Sequence, residues 1–238
     1  MTDAQASTAA RAARGLTWLD RLAVLLTLPF TLPLMTVIAI AVVIESGWPI
    51  FFSQERLGQG GRRFRIYKFR KFPASLGRDT LPLTLANDAR CTRVGNFLAQ
   101  TKLDELPQLW NVVRGDMAVV GPRPEVPDFE ACYSGPYRRI LDFRPGIFGP
   151  SQAAFRGEAA LYPPQQDPRD YYLKVLFPAK AALDLAYYPS RTVFRDASWV
   201  LRGMLAVCGS KRFMPAVVAR KPGADHSSGA AMGNKAAS

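Results

Sequence analysis

The most apolar part of the chain is a run of 23 residues, 22–44, that carries no charged side chain. A helix of this length can cross the hydrocarbon core of a bilayer, which is about 30 Å thick. Pro29 and Pro33 lie inside the run. Proline kinks a helix because it lacks an amide donor and clashes with the preceding turn. The pattern therefore predicts a bent membrane helix.

Basic residues flank this segment on both sides, with Arg14 and Arg21 before it and Arg56 and Arg62 among those that follow. Positive charge marks the cytoplasmic side of a membrane helix. A re-entrant helix, which enters and leaves by one face, satisfies both flanks. A kinked single span with a translocated N-terminus is the alternative, and the residues alone leave both open. Residues 1–15 are small, polar and basic, and we expect a disordered lead-in there.

The remaining patterns predict short elements. An apolar stretch at 49–54 and an alternating aromatic and basic stretch at 64–69 flank a glycine cluster at 58–61, which predicts a β-hairpin. Apolar residues at helical spacing predict helices at 94–99, 103–113, 177–187 and 192–207. The last of these has one apolar face, which suits either the membrane interface or a protein core. A polar loop is expected at 73–90 and a disordered tail at 219–238.

Composition and charge narrow the classes of partner. Apolar residues make up 48% of the 238 residues, enough for a packed core, and the formal net charge is +12. Nucleic acid, an anionic membrane surface and a phosphorylated substrate all fit such a charge. Histidine occurs once, as His226 in the tail. Because triads, Cys-His dyads and histidine metal sites need a placed imidazole, they are excluded. The widely spaced Cys91, Cys132 and Cys208 form neither a zinc nor a disulfide pattern and fit a reducing cytoplasm.

The Asp104–Glu105 pair is the candidate chemical centre. Pro107 is tolerated only in the first turn of a helix, which predicts Asp104 at or next to the N-cap. Unpaired backbone N–H groups and the helix dipole would favour its ionised form. Such a carboxylate can act as a nucleophile or as a ligand of Mg²⁺. Adjacent residues do not share a helix face, so Glu105 is expected to have a different role. For the pair taken alone, a plain helix cap is the alternative.

Three further motifs carry candidate phosphate-binding residues. Arg123 lies between prolines in the segment 121–125, Arg144 precedes Pro-Gly, and Lys68 and Arg70 lie on a predicted strand. Cationic side chains on a stiff backbone suit a diphosphate.

In this combination and order, these motifs resemble those of the bacterial sugar transferases, which are monotopic phosphoglycosyl transferases. The resemblance runs from about residue 19 to residue 207. Its pieces are Asp20, Pro33, PIFFSQER at 49–56 with Gly58, KFR at 68–70, TRVG at 92–95, LDELPQLWN at 103–111, GDM at 115–117, VGPRP at 120–124 and RPG at 144–146. The combination is specific, although each piece alone is common.

The resemblance implies a reaction. An aspartate attacks the sugar-linked phosphorus of a UDP-sugar, UMP leaves, and polyprenyl (undecaprenyl) phosphate takes the phosphosugar from the aspartyl intermediate. Asp104 would be the nucleophile, with Glu105 as its partner near Mg²⁺. Arg123 would bind phosphate, and Lys68, Arg70 and Arg144 would be further candidates for substrate contact.

The resemblance also implies the architecture: an α+β, mainly helical, monotopic membrane protein with a re-entrant helix broken at Pro33, a small β-hairpin and interfacial amphipathic helices. Residues 16–46 would form the membrane helix, and residues 47–210 a catalytic domain on the cytoplasmic face of the bacterial inner membrane. A homodimer is left open, and no nucleic acid is expected as a partner.

Some positions depart from the family pattern. Leu32 stands where a serine often precedes the break proline. Lys71 departs from the family's KFRSM-like segment, and Phe148 departs from its RPGITG-like segment. These changes concern substrate identity more than reaction class. Two other functions compete with catalysis. A basic, membrane-tethered module that binds phosphate or nucleic acid explains the charge but not a placed carboxylate pair. An inactive regulator of polymer assembly would not need the catalytic residues named above.

Overall fold

The computed structural model describes residues 3–76 and 90–207. Its strands are β1 (Phe51–Leu57), β2 (Arg63–Phe69), β3 (Ala118–Val120) and β4 (Gly146–Phe148). Its helices are α1 (Asp3–Ser46), α2 (Arg93–Thr101), α3 (Gln108–Arg114), α4 (Pro150–Ala154), α5 (Pro168–Tyr171), α6 (Phe177–Tyr187) and α7 (Val193–Val207). Short 3₁₀ turns connect many of them, and a π-helical turn, Tyr172–Leu176, joins α5 to α6. The predicted tail at 219–238 lies outside the described residues.

Helix α1 continues without interruption from Asp3 to Ser46, through both Pro29 and Pro33. Residues 3–15 are therefore helical, whereas we expected a disordered lead-in. Their alanine-rich composition favours helix, and this propensity outweighs their polarity. Within α1, the Trp18–Ser46 portion is long and apolar enough to cross a membrane.

One stripe of α1 packs along the rest of the protein. Near its start, Val24 is buried in a cluster with Ile66 of β2 and residues of α3. Near its end, Ile38 and Val42 are buried in a second cluster that includes residues of β2 and α2. The opposite face exposes large apolar side chains, among them Leu26, Phe30, Val37 and Ile44. Both ends of the apolar segment thus rest on the same folded body, and its outer face is suited to lipid.

The predicted hairpin is confirmed. Strands β1 and β2 are antiparallel, with Phe51 opposite Phe69 and Leu57 opposite Arg63. Each strand is seven residues long, so β1 extends three residues further than the apolar stretch predicted. The additional positions are the exposed Glu55, the half-buried Arg56 and the buried Leu57, so they do not continue the apolar stretch.

A second, parallel pair, β3 and β4, was not predicted. Each strand has only three residues, too few to show a period in the sequence. Gly121, just after β3, and Gly146 make the closest backbone approach, because a Cβ built on Gly146 would lie 2.0 Å from the amide nitrogen of Gly121. The largest core cluster is rich in aromatic residues. It includes Phe129, stacked on Tyr172 at 4.5 Å between ring centroids.

Candidate active site

The backbone around the Asp104–Glu105 pair differs from the predicted helix start. Lys102 adopts a left-handed conformation, with φ of 62°, and a 3₁₀ turn follows at Leu103–Glu105. Helix α3 begins only at Gln108. The amide of Glu105 donates to the carbonyl of Lys102 at 3.2 Å. Because local backbone bonds of this kind occupy the amides of the turn, Asp104 does not cap the helix, and the cap prediction is wrong.

Asp104 is instead a buried carboxylate, with 2% of the residue exposed. Its Oδ2 lies 3.5 Å from Nζ of Lys71. Its Oδ1 is also buried and accepts no hydrogen bond from any residue that the structure describes. A buried carboxylate oxygen without a donor is costly. The unsatisfied Oδ1 therefore indicates that a reacting or bound group completes the site.

Glu105 is held by cations. Its Oε1 accepts a hydrogen bond from Nζ of Lys68 at 2.8 Å and lies 3.5 Å from Nη2 of Arg123. Burial disfavours the ionised carboxylate, but Lys68, Arg123 and Lys102 outweigh it and hold the pKa of Glu105 well below its usual range. Burial and the nearby arginines lower the pKa of Lys68 to about 8, against the opposing effect of Glu105. The two carboxylates thus have different surroundings, as their sequence spacing predicted.

Arg123 projects from a loop that is fastened at nearly every residue. The loop follows β3 and covers residues 121–125. Four hydrogen bonds involving its backbone join Gly121 to Phe148, Pro122 to Gly146, Pro124 to the side chain of Arg56 and Glu125 to Leu57, at 2.8–3.1 Å. Two of these bonds reach the β4 segment, and two reach the end of β1. Such a loop presents the guanidinium in a fixed direction.

The structure separates Arg70 and Arg144 from this group. Nη2 of Arg70 donates to the carbonyls of Ser46 and Gly47, at 2.7 and 2.6 Å, so this side chain fastens the end of α1. No ion pair joins Arg70 to Asp104 or Glu105 in the described part of the chain. The charged neighbours of Arg144 are Asp20, Arg21 and Asp116, near the start of the membrane segment, and burial there lowers its pKa.

Several residues of the site were not singled out from the sequence. Lys71 forms an ion pair with Asp104, and the positive charge of Lys102 helps to lower the pKa of Glu105. Lys71 follows Lys68 and Arg70 in a basic run that could have indicated it. A small, partly open cleft lies beside Glu105. Its lining comprises Arg56, Ile66, Lys68, Glu105, Gln108, Arg123, Pro124 and Gly146. The cationic lining suits a phosphorylated ligand.

The resemblance implies that Mg²⁺ binds at this site. No cluster of three or more Asp, Glu, His or Cys side chains occurs among residues 3–76 and 90–207. Mg²⁺ does not require one, because it is commonly bound by one or two carboxylates, waters and substrate phosphates. The buried Oδ1 of Asp104 without a donor fits such a ligand. Asp104 and Glu105 are thus compatible with a metal shared with a diphosphate.

Comparison with known proteins identifies the class. The family model for bacterial sugar transferases matches residues 13–210. The chain therefore belongs to the bacterial sugar transferase family, as the motifs predicted.

Individual relatives are similar over about half of the chain. The UDP-N-acetylgalactosamine-undecaprenyl-phosphate N-acetylgalactosaminephosphotransferase of Aeromonas hydrophila is 40% identical over 139 residues, 56% of this chain and 32% of the relative. The UDP-glucose:undecaprenyl-phosphate glucose-1-phosphate transferase of Xanthomonas campestris pv. campestris is 40% identical over 58% of this chain and 30% of its own. The UDP-glucose:undecaprenyl-phosphate glucose-1-phosphate transferase of Escherichia coli (strain K12) is 37% identical over 53% of this chain and 28% of its own length. The matched segments thus span about a third of these relatives.

Proposed function

We propose that the protein is a phosphoglycosyl transferase that moves a sugar phosphate from a UDP-sugar to polyprenyl phosphate, such as undecaprenyl phosphate, and releases UMP. This reaction would initiate an exopolysaccharide, capsule, O-antigen or glycoconjugate. The observation that carries the proposal is the buried Asp104, whose Oδ1 has no donor, next to a Glu105 held by Lys68 and Arg123. Family membership and the names of the three relatives support it.

The reaction has two steps, through an acyl phosphate on Asp104, and exchanges one phosphoanhydride bond for another. A carboxylate oxygen of Asp104 attacks the sugar-linked phosphorus, the bond from this phosphorus to the bridging oxygen breaks, and UMP leaves with the electron pair. An oxygen of polyprenyl phosphate then attacks the same phosphorus and releases the carboxylate of Asp104. Arg123 and Lys68 would bind and orient the diphosphate. Because these cations already pair with Glu105, its carboxylate keeps them in place before the donor binds.

Mg²⁺, held by Asp104 and Glu105 together with donor phosphates, would neutralise charge on the diphosphate. The remaining work belongs to the protein. Burial of Asp104 excludes water from the nucleophile, which limits hydrolysis of the donor. Nζ of Lys71, 3.5 Å from Oδ2 of Asp104, places a positive charge beside the nucleophile and would orient its carboxylate.

We also propose that α1 is re-entrant in the bilayer and that the domain at 47–210 lies on the cytoplasmic face of the inner membrane. The burial of Val24 and Val42 against one folded body supports this topology, because a straight span would carry one end away from that body. Helix α7 exposes Phe194, Leu201 and Met204 beside arginines, which suits the headgroup region. Its inner face packs Trp199 and Val200 against the core.

The activity is tested with membranes that contain the full chain, polyprenyl phosphate and a panel of UDP-hexoses and UDP-N-acetylhexosamines. We expect UMP release with one or more donors and a labelled phosphosugar trapped on the wild-type chain. Asp104→Asn should abolish both, and UMP release that persists in this variant would sink the role of Asp104. Chelation of divalent cations should stop release if Mg²⁺ is required.

The topology is tested with single cysteines in a variant otherwise free of cysteine. One cysteine is placed before Arg14 and the other after Arg65. A membrane-impermeant reagent should label both from the cytoplasmic side in oriented vesicles. Labelling from opposite sides would reject re-entrance in favour of a single span.

A further inference from the structure

A buried lysine lies behind the arginine loop, outside the residues used above. Lys180 is on α6 and is 5% exposed. Its Nζ donates to Oε1 of Glu125 at 3.1 Å, to Oε2 of Glu158 at 3.2 Å and to the hydroxyl of Tyr172 at 3.2 Å. The ammonium also lies 4.8 Å from the centroid of the Tyr172 ring. Lys180 does not line the cleft beside Glu105.

Three acceptors thus surround a lysine ammonium that has three protons to donate, so the ammonium is fully satisfied. The fold specifies the position of a buried charge with this many partners, because removing an ion from water is costly until its partners compensate. Glu125 and Glu158 are the anions that make the position tolerable. Conversely, Lys180 is the cation on which both carboxylates depend.

Glu125 connects this cluster to the arginine loop, because it is the second residue after Arg123. Its carbonyl accepts the amide of Leu57 at 2.8 Å, and its side chain is held from the other side by Lys180. The charges also interact. Burial disfavours the charge of Arg123, but Glu105, Glu158 and Glu125 outweigh it and raise the pKa of Arg123. Glu125 and Glu158 therefore attract the same guanidinium that the donor diphosphate would bind, while Nζ of Lys180 holds both carboxylates.

We propose that Lys180 is a positioning residue that holds Glu125 and Glu158 away from Arg123, so that the guanidinium stays directed at Glu105 and at the donor diphosphate. The inference rests on the proposed function. Without Lys180, the buried carboxylate of Glu125 lacks its main counter-charge, and the cations that remain beside it are Arg56 and Arg123. Arg123 would then be drawn from the cleft, and affinity for the diphosphate would fall.

The test measures the dissociation constant for UDP by calorimetry on the full chain in lipid nanodiscs, and the KM and kcat of UMP release. Lys180→Met should weaken UDP binding about tenfold, and KM should rise more than kcat falls, because a phosphate contact is lost before the chemical step. Lys180→Gln, which is one atom shorter and has lost the charge but keeps a hydrogen-bond donor, should behave alike. The matched control is Lys174→Met, an exposed lysine paired with Asp170, which should bind UDP like the wild type.

Two double variants separate positioning from a general loss of structure. Lys180→Met with Glu125→Gln removes the competing charge together with its partner and should regain UDP binding to within threefold of the wild type. In an Arg123→Gln background, Lys180→Met should change UDP binding less than twofold, because the residue through which it acts is gone. A merely structural role would weaken binding by the same factor in both backgrounds.

The outcomes are distinguishable. If Lys180→Met does not fold, the Gln variant and the Lys180→Met/Glu125→Gln variant still give the comparison. Unchanged UDP binding in Lys180→Gln, an equal loss in the Arg123→Gln background, or no recovery on removal of the Glu125 charge would each overturn the inference. A wild-type chain that binds no UDP would instead overturn the proposed function.

Discussion

Asp184 on α6 offers a quantitative test of the contacts that connect α6 to the arginine loop. The residue is 5% exposed, and its Oδ2 accepts a hydrogen bond from the Ser151 hydroxyl at 3.0 Å, while Oδ1 is buried without a partner among the described residues. Burial raises the pKa of Asp184 from its ordinary value of 3.8 to about 7, although the Ser151 hydrogen bond and the charge of Lys180 oppose the shift. Gln152, which follows Ser151 in the chain, donates from Nε2 to the carbonyl of Gly121, where the arginine loop begins.

The pKa gives the sign and size of the effect. Between pH 3.8 and 7 the folded chain holds a proton on Asp184 that the unfolded chain has lost, so this group lowers the free energy of unfolding as the pH rises. One pKa unit corresponds to about 1.4 kcal/mol, so the full penalty above pH 7 approaches about 4 kcal/mol. Asp184→Asn has nearly the same shape but does not ionise. Its stability advantage over the wild type should therefore grow by about 2 kcal/mol between pH 5.5 and pH 7.

Thermal unfolding of the full chain in detergent, followed by tryptophan fluorescence, measures this difference. For a protein of this size, 1 kcal/mol shifts the Tm by roughly 2–4 °C, so the gap in Tm between variant and wild type should widen by roughly 4–8 °C over that pH range. The comparison of two chains at each pH cancels the titration of the other groups. Ser151→Ala should lower stability at pH 8 more than at pH 5.5, because the ionised carboxylate loses its donor.

A constant Tm difference between pH 5.5 and pH 7 would refute the reasoning, since it would mean that Asp184 does not change its charge in this range. A gap that narrows as the pH rises would refute the sign, because it would place the folded pKa below the unfolded one.

Two further predictions concern the packing that holds the site. Arg70→Met should lower the free energy of unfolding by about 2 kcal/mol, because the charged donors to Ser46 are lost, and Arg70→Lys should recover part of it; equal Tm values would contradict this. Gly95→Ala should abolish UMP release or folding, since the added Cβ would lie 2.1 Å from the carbonyl oxygen of Lys71, next to Asp104 in the site. Gly157→Ala, where the Cβ meets nothing within 4 Å, is the control and should retain activity and Tm; tolerance of both changes would contradict the packing argument.

Local patterns in the sequence predicted most of the regular elements. Helix α6 was predicted with its observed bounds, and α7 within one residue, because both have apolar residues at clear helical spacing. The β1–β2 hairpin followed from alternation around a glycine cluster. The β3–β4 pair and the long 3₁₀ segments between them have no such period, since strands of three residues are formed by contacts between distant parts of the chain. The start of α3 was misplaced because Lys102 takes a left-handed turn that its residue type does not indicate.

The sequence by itself determined the family and the charge-free apolar segment. It also singled out Asp104, Glu105, Lys68 and Arg123 as candidate site residues. These conclusions depend on residue types in a fixed order, which the chain carries without folding. Only the tertiary structure decided which cations meet the carboxylates. It brings Lys71 to Asp104, and it assigns Arg70 to the end of α1 instead. Such pairings depend on distances across the fold, and residues far apart in sequence, such as Lys180 and Glu125, become partners only when the core closes.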